Sequence, residues 1–200
     1  MTNQPGIAGA SRKGLLIGLV LVASALWGAA PARATESKLV NAKVKFTASA
    51  STGFKIIGTG TDLKLENRGP WLIFKVPLSA VSTKVGARDR QMRDRYLEAD
   101  THPWVELKIL RGGLKVPKSN GISEGDAKGT LTLHGKSRET TIHYSLERQG
   151  ESLQVSGSLR IDLREHGIDI PTYRGITVKP EVDIEVAFGG IDRAVVADAM

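Results

Sequence analysis

Few residues of this sequence stand in a pattern that catalysis or cofactor binding requires. There is no G-x-S-x-G, no H-E-x-x-H and no phosphate-binding loop, which are short patterns that position a nucleophile, a zinc ion or a nucleotide. The sequence also contains no cysteine, which excludes thiol catalysis and disulfide bonds. We therefore predict that the protein is not an enzyme and that it has no catalytic residue, no metal ligand and no cofactor.

The four histidines are the remaining candidates for metal binding or proton transfer. His134 and His143 flank one predicted hairpin and could share a face, but two histidines without a neighbouring cysteine or carboxylate are a weak zinc signal. A solvated hairpin face explains them more simply. His102 precedes Pro103, which is typical of a structural position. His166 lies on a predicted loop, where it could line the mouth of a binding site.

The longest interruption of the β pattern runs from residue 86 to residue 104, and it predicts one helix at about residues 86–100. Apolar side chains recur there at helical spacing, namely at Val85, Met92, Tyr96 and Ala99. Asp89 falls on the same stripe, and a buried carboxylate needs a partner. We expect an ion pair with Arg88, Arg93 or an arginine elsewhere in the fold. The charged run 88–95 as a whole predicts a solvated face.

The first 34 residues show the order of features found in a secretory signal. Arg12 and Lys13 precede an apolar run over residues 14–27, and Ala32-Arg33-Ala34 then offers a cleavage site. The apolar run is shorter than the ~20 residues that a spanning helix needs, although an uncleaved membrane anchor is the alternative interpretation. We predict an exported protein without a membrane span after cleavage, periplasmic in the simplest case, with secretion as the other destination.

Residues 35–190 form the predicted folded domain, and residues 191–200 are expected to be a short frayed tail. Eight segments of this domain alternate between apolar and polar residues, as in the stretch VDIEV at residues 182–186, which indicates strands with one dry and one wet face. Short connections favour antiparallel neighbours. The sequence therefore predicts a mainly β fold, an eight-stranded antiparallel up-and-down barrel with one flanking α-helix. A two-sheet sandwich is the main rival.

Closing these strands into a barrel would turn one apolar face inward. A barrel of eight strands is either filled by its own side chains or holds one small ligand, and the alternation does not decide between the two. Gly58, Gly60 and Gly157 on that face would leave room for a chain-like ligand. The predicted inward residues are Val44, Phe46, Phe54, Ile56, Leu72, Phe74, Val105, Leu107, Leu131, Leu133, Ile142, Tyr144, Leu159, Ile161, Val182, Ile184, Val186 and Phe188, together with Met92 and Tyr96 of the helix.

Three parts of the sequence resemble the YceI-like family of exported bacterial proteins. RDRQMRDRYLEADTHPWVEL at residues 88–107 resembles the family's helix and the strand after it. GTLTLHGKSRETTIHY at residues 129–144 resembles its G-x-L-T hairpin. LREHGIDI at residues 163–170 and VKPEVDIEVAF at residues 178–188 resemble its penultimate loop and last strand. The resemblance spans nearly all of residues 35–188, and it implies a lipocalin-like eight-stranded barrel that binds a polyisoprenoid chain in its lumen.

From this resemblance we expect an exported protein that sequesters or carries a polyisoprenoid or isoprenoid-quinone lipid. The inward residues would bind the chain, and His166, Tyr173 and Arg174 would hold a head group at the mouth. Gln91 and His166 replace residue types that are common at those positions in the family, which changes the polar groups available to a head group.

Two other functions stay open at this point. The first is a structural or interaction protein of the envelope with a filled barrel, and the second is an enzyme acting on an isoprenoid substrate. The formal net charge is +7, but three of the basic residues belong to the signal segment, so the predicted mature chain is only mildly basic. A mildly basic chain does not indicate a nucleic-acid partner. A homodimer is left open.

Overall fold

The computed structural model describes residues 35–37, 39–173 and 175–196. The predicted signal segment, residues 1–34, and the predicted head-group residue Arg174 lie outside the described residues. None of the helices within the described ranges has the length and apolar character that crossing a bilayer requires.

Within these described ranges, twelve β-strands make up one sheet, and its paired neighbours are antiparallel. They are β1 (Thr35–Ser37), β2 (Val40–Ala50), β3 (Lys55–Gly60), β4 (Lys64–Arg68), β5 (Trp71–Pro77), β6 (Val81–Ser82), β7 (Trp104–Leu110), β8 (Gly121–Leu133), β9 (Lys136–Gln149), β10 (Ser152–Asp162), β11 (Thr172–Tyr173) and β12 (Ile176–Asp192).

The sheet curls round and closes on itself. Its order is β1-β4-β5-β7-β8-β9-β10-β12-β2-β3-β6, with β11 paired to β12. The last strand in this order, β6, pairs with β3 and is the continuation of β5 beyond a 3₁₀ turn at Leu78–Ala80. The path around the sheet therefore returns to a strand that it has already passed, as in an up-and-down barrel. This confirms the predicted fold class.

The count of twelve strands rather than eight comes from breaks within predicted strands. The first predicted strand is divided into β1 and β2 and the second into β3 and β4, whereas β6 extends the third predicted strand, β5, beyond the 3₁₀ turn. The second break contains Asp62, whose φ of 59° is left-handed and incompatible with extended backbone. Strand β11 is a two-residue addition beside β12. Joined across the breaks, the chain passes around the barrel as eight strands.

A compact apolar cluster closes one end of the barrel. Leu65, Leu72 and Leu153 are each 0% exposed, and Phe188 packs against them. Full burial of a leucine side chain contributes roughly 1.5–3 kcal/mol, so this cluster stabilises the closed end of the barrel.

The C-terminal segment belongs to the same cluster. Strand β12 continues to Asp192, and Arg193–Val196 then form one helical turn. Ile191 and Val196 are buried in the cluster. The structure thus packs part of the predicted tail, residues 191–196, against the end of the barrel, which these two apolar side chains cover. Residues 197–200 lie outside the described ranges.

The predicted helix is present but ends earlier than expected. Helix α1 (Gly86–Gln91) continues into a π-helical turn at Met92–Tyr96, in which the Leu97 amide donates to the Met92 carbonyl oxygen over 2.9 Å. Glu98 then adopts a left-handed φ of 45°, which ends the helix before Ala99. The Leu78 amide donates to the Pro103 carbonyl oxygen over 2.9 Å. This bond joins the residues before and after the helical segment at the rim of the barrel.

Cross-strand ion pairs cover part of the outer face. Lys75 Nζ lies 2.8 Å from Glu66 Oε1 on β4 and 3.4 Å from Glu106 Oε2 on β7. Hydrogen bonding to Lys75 lowers the pKa of Glu66, although burial acts in the opposite direction. Opposite charges facing each other across strands stabilise a sheet modestly. The outer face is therefore the wet face that the sequence predicts.

Candidate functional site

The barrel contains an apolar cavity of about 440 Å³. Its wall consists of inward side chains from β2, β3, β5, β7, β8, β9, β10 and β12, and the helical segment covers part of one end. The volume lies within the roughly 300–1,000 Å³ of small-molecule sites. The barrel is thus not filled by its own side chains.

The register of the strands explains why the part of the wall that the strands form is mainly apolar. Phe46 lies opposite Ile184, and Ile184 lies opposite Leu159. Phe74 lies opposite Leu107 in the same way. Residues opposite each other in a sheet share a face, so the period-two pattern of each strand builds continuous apolar rows around the lumen.

The structure places all of the predicted inward residues around this cavity except Leu72. Leu72 lies in the closed-end cluster, because β5 begins one residue before it at that end of the barrel. Phe46, Phe74 and Ile184 are only half-buried although they point inward, since one side of each meets the open cavity. That these residues contact a ligand stays a prediction.

Two of the three glycines expected to make room do line the cavity. Gly60 and Gly157 belong to its wall, whereas Gly58 does not. A Cβ atom at Gly58 would overlap the ring of Phe46, which lies directly opposite on β2. The space left by Gly58 is therefore taken up by the Phe46 ring rather than by a ligand.

The cavity opens at the end of the barrel that carries the helix. Phe54 and Ile176 line it while remaining 63% and 45% exposed. The Ser51 amide donates to the Thr177 carbonyl oxygen over 2.7 Å, which holds these two segments side by side. Large apolar side chains that are exposed and adjacent mark the mouth of an apolar site.

The polar groups at the mouth come mainly from the helical segment. Thr83, Arg88 and Gln91 line the cavity. Arg88 Nε donates to Thr83 Oγ1 over 2.7 Å, and its Nη2 donates to the Thr83 carbonyl oxygen over 3.0 Å. The guanidinium is thus held in a fixed direction at the cavity. The prediction of a solvated face for the whole run 88–95 is wrong for Arg88, because these two bonds turn it back toward the barrel.

Asp89 anchors the helix to the strand before it. The side chain is buried, and its carboxylate accepts hydrogen bonds from Ser82 Oγ and the Thr83 amide, each over 2.7 Å, and from Thr83 Oγ1. Burial alone would raise the pKa of Asp89, but the bonds from Thr83 and Ser82, with the charge of Arg93, bring it below the ordinary value. The expected ion pair with an arginine is replaced by hydroxyl and amide donors.

Of the three predicted head-group residues, His166 is the one whose side chain lies among the described residues, and it lies away from the cavity. His166 is 2% exposed, does not line the cavity, and donates from Nδ1 to the Lys136 carbonyl oxygen over 3.0 Å. The prediction that His166 lies at the mouth is therefore wrong, because the Leu163–His166 turn places the ring beneath the β8–β9 hairpin. The backbone of Tyr173 pairs with Ile176.

The other histidines do not group as the sequence suggested. His143 pairs with Asp126 on the outer face, where both side chains are mostly exposed. His134 lies instead beside His102 and Glu98. Sequence reasoning missed this grouping because Glu98 and His102 lie 36 and 32 residues before His134 along the chain.

Comparison with known proteins assigns the family. The model of the YceI-like domain matches residues 32–189. The chain belongs to the YceI-like family. No curated protein matches its sequence.

Two solved structures resemble this YceI-like chain in fold. One is a polyisoprenoid binding domain from Saccharophagus degradans implicated in plant cell wall breakdown, with a TM-score of 0.64 and 16% identity over 78% of this chain and 98% of that one. The other is BcnA from Burkholderia cenocepacia, with a TM-score of 0.61 and 14% identity over 75% of this chain and 96% of that one. At these identities the likeness concerns the fold alone.

Proposed function

We propose that this protein binds a long apolar lipid, an isoprenoid chain, inside its barrel. The observation that carries the proposal is the apolar cavity of about 440 Å³ that opens between exposed apolar residues at the helix end. The similarity to the polyisoprenoid binding domain from Saccharophagus degradans supports this choice of ligand class.

The energetics favour a chain over a small apolar molecule. Each CH₂ group removed from water contributes about 0.8 kcal/mol, whereas association costs roughly 4–15 kcal/mol. A ligand must therefore bury many carbon atoms before it binds tightly. Several isoprene units meet this requirement, and a single unit does not.

A polar head group would sit at Arg88 and Gln91 rather than at the residues first expected. Arg88 is fixed by Thr83 at the cavity, and the exposed Gln91 lines the same mouth. An oriented guanidinium suits an anionic or strongly hydrogen-bonding head group, such as a phosphate or a quinone carbonyl. The apolar tail would then run toward the closed-end cluster of Leu65, Leu72 and Leu153.

The lining also favours binding over catalysis. Among the described residues that line the cavity there is no histidine and no carboxylate, the groups most used for proton transfer. With the secretory pattern of residues 1–34, this favours an exported lipid carrier or sequestering protein, working in the periplasm or outside the cell.

Native mass spectrometry of the protein purified from its own cell envelope tests this function. We expect one additional mass per chain, which organic solvent extracts and which is identified as an isoprenoid. A bare chain that also takes up no polyisoprenoid alcohol during incubation would contradict the proposal. Extraction of a straight-chain fatty acid in place of an isoprenoid would overturn the ligand class while leaving the cavity as the site.

A further inference from the structure

Glu98, His102 and His134 meet beside the helical segment, outside the cavity. One potential ligand atom of each residue lies within 4.8 Å of the others, and His134 Nε2 is 3.4 Å from Glu98 Oε2. The rings of His102 and His134 contact edge to face, with centroids 5.1 Å apart. We propose that these three residues bind a divalent transition-metal ion, for which zinc is the best match.

The hydrogen bonding of His134 leaves one nitrogen free for a metal. Its Nδ1 lies 3.2 Å from the His166 carbonyl oxygen, which can only accept, so Nδ1 carries the proton in this bond. Nε2 is buried and finds no hydrogen-bond partner within the described part of the chain. Histidines that bind metals commonly donate their other ring nitrogen to a carbonyl or carboxylate in this way. Without a proton or a cation, the Nε2 lone pair would face the Glu98 carboxylate unfavourably.

Two members of the cluster occupy backbone conformations that other residues would adopt more easily. Glu98 and His134 have φ values of 45° and 51°, in the left-handed region that disfavours residues with a Cβ atom. Glu98 directly follows the helical segment, where glycine or asparagine is usual. His134 is the first residue of a two-residue hairpin turn, where asparagine is preferred. Such strain concentrates at functional sites, and here the side-chain chemistry explains it.

Gly135 allows the second histidine to approach the turn. Its φ is 68°, and a Cβ atom there would lie only 2.7 Å from Cε1 of His102. Glycine at this position therefore satisfies both the left-handed turn and the close packing of the His102 ring. The result is that His102 lies next to His134.

The donor set and its spacing point to zinc. Two imidazole nitrogens and one carboxylate oxygen suit Zn²⁺ and related ions, whereas Ca²⁺ and Mg²⁺ prefer oxygen ligands throughout. Tetrahedral bonds of 2.0–2.1 Å would place two ligand atoms about 3.3 Å apart. The 3.4 Å between His134 Nε2 and Glu98 Oε2 is already close to this spacing. The exposed side of Glu98 leaves a fourth position for water.

A bound ion would join the segment after the helix to the barrel wall. Leu97 and Leu133 precede Glu98 and His134 in sequence, and both line the cavity. The ion would therefore hold the helical cover against the β8–β9 hairpin. Because the unfolded chain does not hold these ligands together, binding should raise the melting temperature, and the rise should increase with the logarithm of the free zinc concentration above the dissociation constant.

Isothermal titration of the full chain with Zn²⁺, using protein purified without a polyhistidine tag and stripped with a chelator, tests the site. We expect one zinc ion per chain and a zinc-dependent rise in melting temperature. Glu98→Gln and His102→Ala should each weaken binding about tenfold or more. Glu98→Gly should abolish the zinc response while raising the melting temperature of the metal-free protein, because it relieves the left-handed φ. If Glu98 had only a structural role, Glu98→Gly would not both abolish the zinc response and raise the melting temperature of the metal-free protein.

His143→Ala provides the matched control, since His143 is an exposed histidine paired with Asp126 on another face. Its zinc affinity should equal that of the wild type. The proposal is overturned if the wild type shows no saturable zinc binding, which would leave Glu98 and His134 as a simple ion pair. It is also overturned if Glu98→Gln and His102→Ala bind zinc as tightly as the wild type, or if His143→Ala alone loses binding.

Discussion

Replacing Gly157 by leucine is expected to remove lipid from the protein without unfolding it. Gly157 lines the cavity, and a Cβ atom there would lie 3.4 Å from Val186 Cγ1 and 3.6 Å from Ile142 Cγ2, which is ordinary contact. The added side chain would project into the lumen and exclude about four carbon atoms of ligand. At about 0.8 kcal/mol each, this costs ~3 kcal/mol, or roughly a hundredfold in affinity.

Ser158→Leu is the matched control, because it adds the same side chain to the neighbouring residue on the outer face. Ser158 lies opposite His143 and Glu185 there. Both variants would be measured for melting temperature and for lipid extracted per chain. Ser158→Leu should retain the lipid of the wild type. A folded Gly157→Leu protein with a full complement of lipid would show that the ligand binds outside the lumen.

Replacing Asp89 by alanine is expected to lower the free energy of unfolding by about 3 kcal/mol, because buried donors lose their acceptor. Ser82 Oγ and the Thr83 amide both donate to this carboxylate, and an alanine side chain offers them no acceptor in its place. Urea unfolding at neutral pH measures the change. Asp94→Ala, on the exposed face of the same helical segment, should stay within about 0.5 kcal/mol of the wild type.

The contribution of Asp89 should also depend on pH in a defined direction. Because the pKa of Asp89 is lower in the folded protein than in the unfolded chain, its stabilisation is complete above the unfolded pKa and is lost as the pH falls through the folded pKa. The difference in unfolding free energy between wild type and Asp89→Ala should therefore shrink below about pH 4. A difference that stays constant on acidification would mean that the carboxylate charge contributes nothing.

The sequence was sufficient to predict the inner wall of the barrel. Period-two alternation in segments such as Val182 to Val186 identifies which side chains share a face, and the barrel brings the faces together. Leu72 is the exception, because alternation indicates the face of a strand but not the position along the barrel axis. The alternation could therefore not show that Leu72 lies at the closed end of the barrel rather than beside the cavity.

Features that depend on loops could not be predicted in the same way. Arg88 belongs to a charged run, and only its bonds to Thr83 turn it toward the cavity. Val196 belongs to the segment predicted to be a frayed tail, but the end of the barrel offers it an apolar surface. The approach of Glu98 to His134 depends on where the helix ends and on how the following loop packs against a hairpin. No periodic pattern in the sequence indicates this packing.

The most direct test of the central claim is a crystal structure of the protein loaded with a polyisoprenoid alcohol of known length. We predict continuous elongated density in the lumen, packed between Phe46, Phe74 and Ile184, with the polar end at Arg88. Density for the lipid on the outer face, or a lumen holding only ordered water after incubation with the lipid, would contradict it.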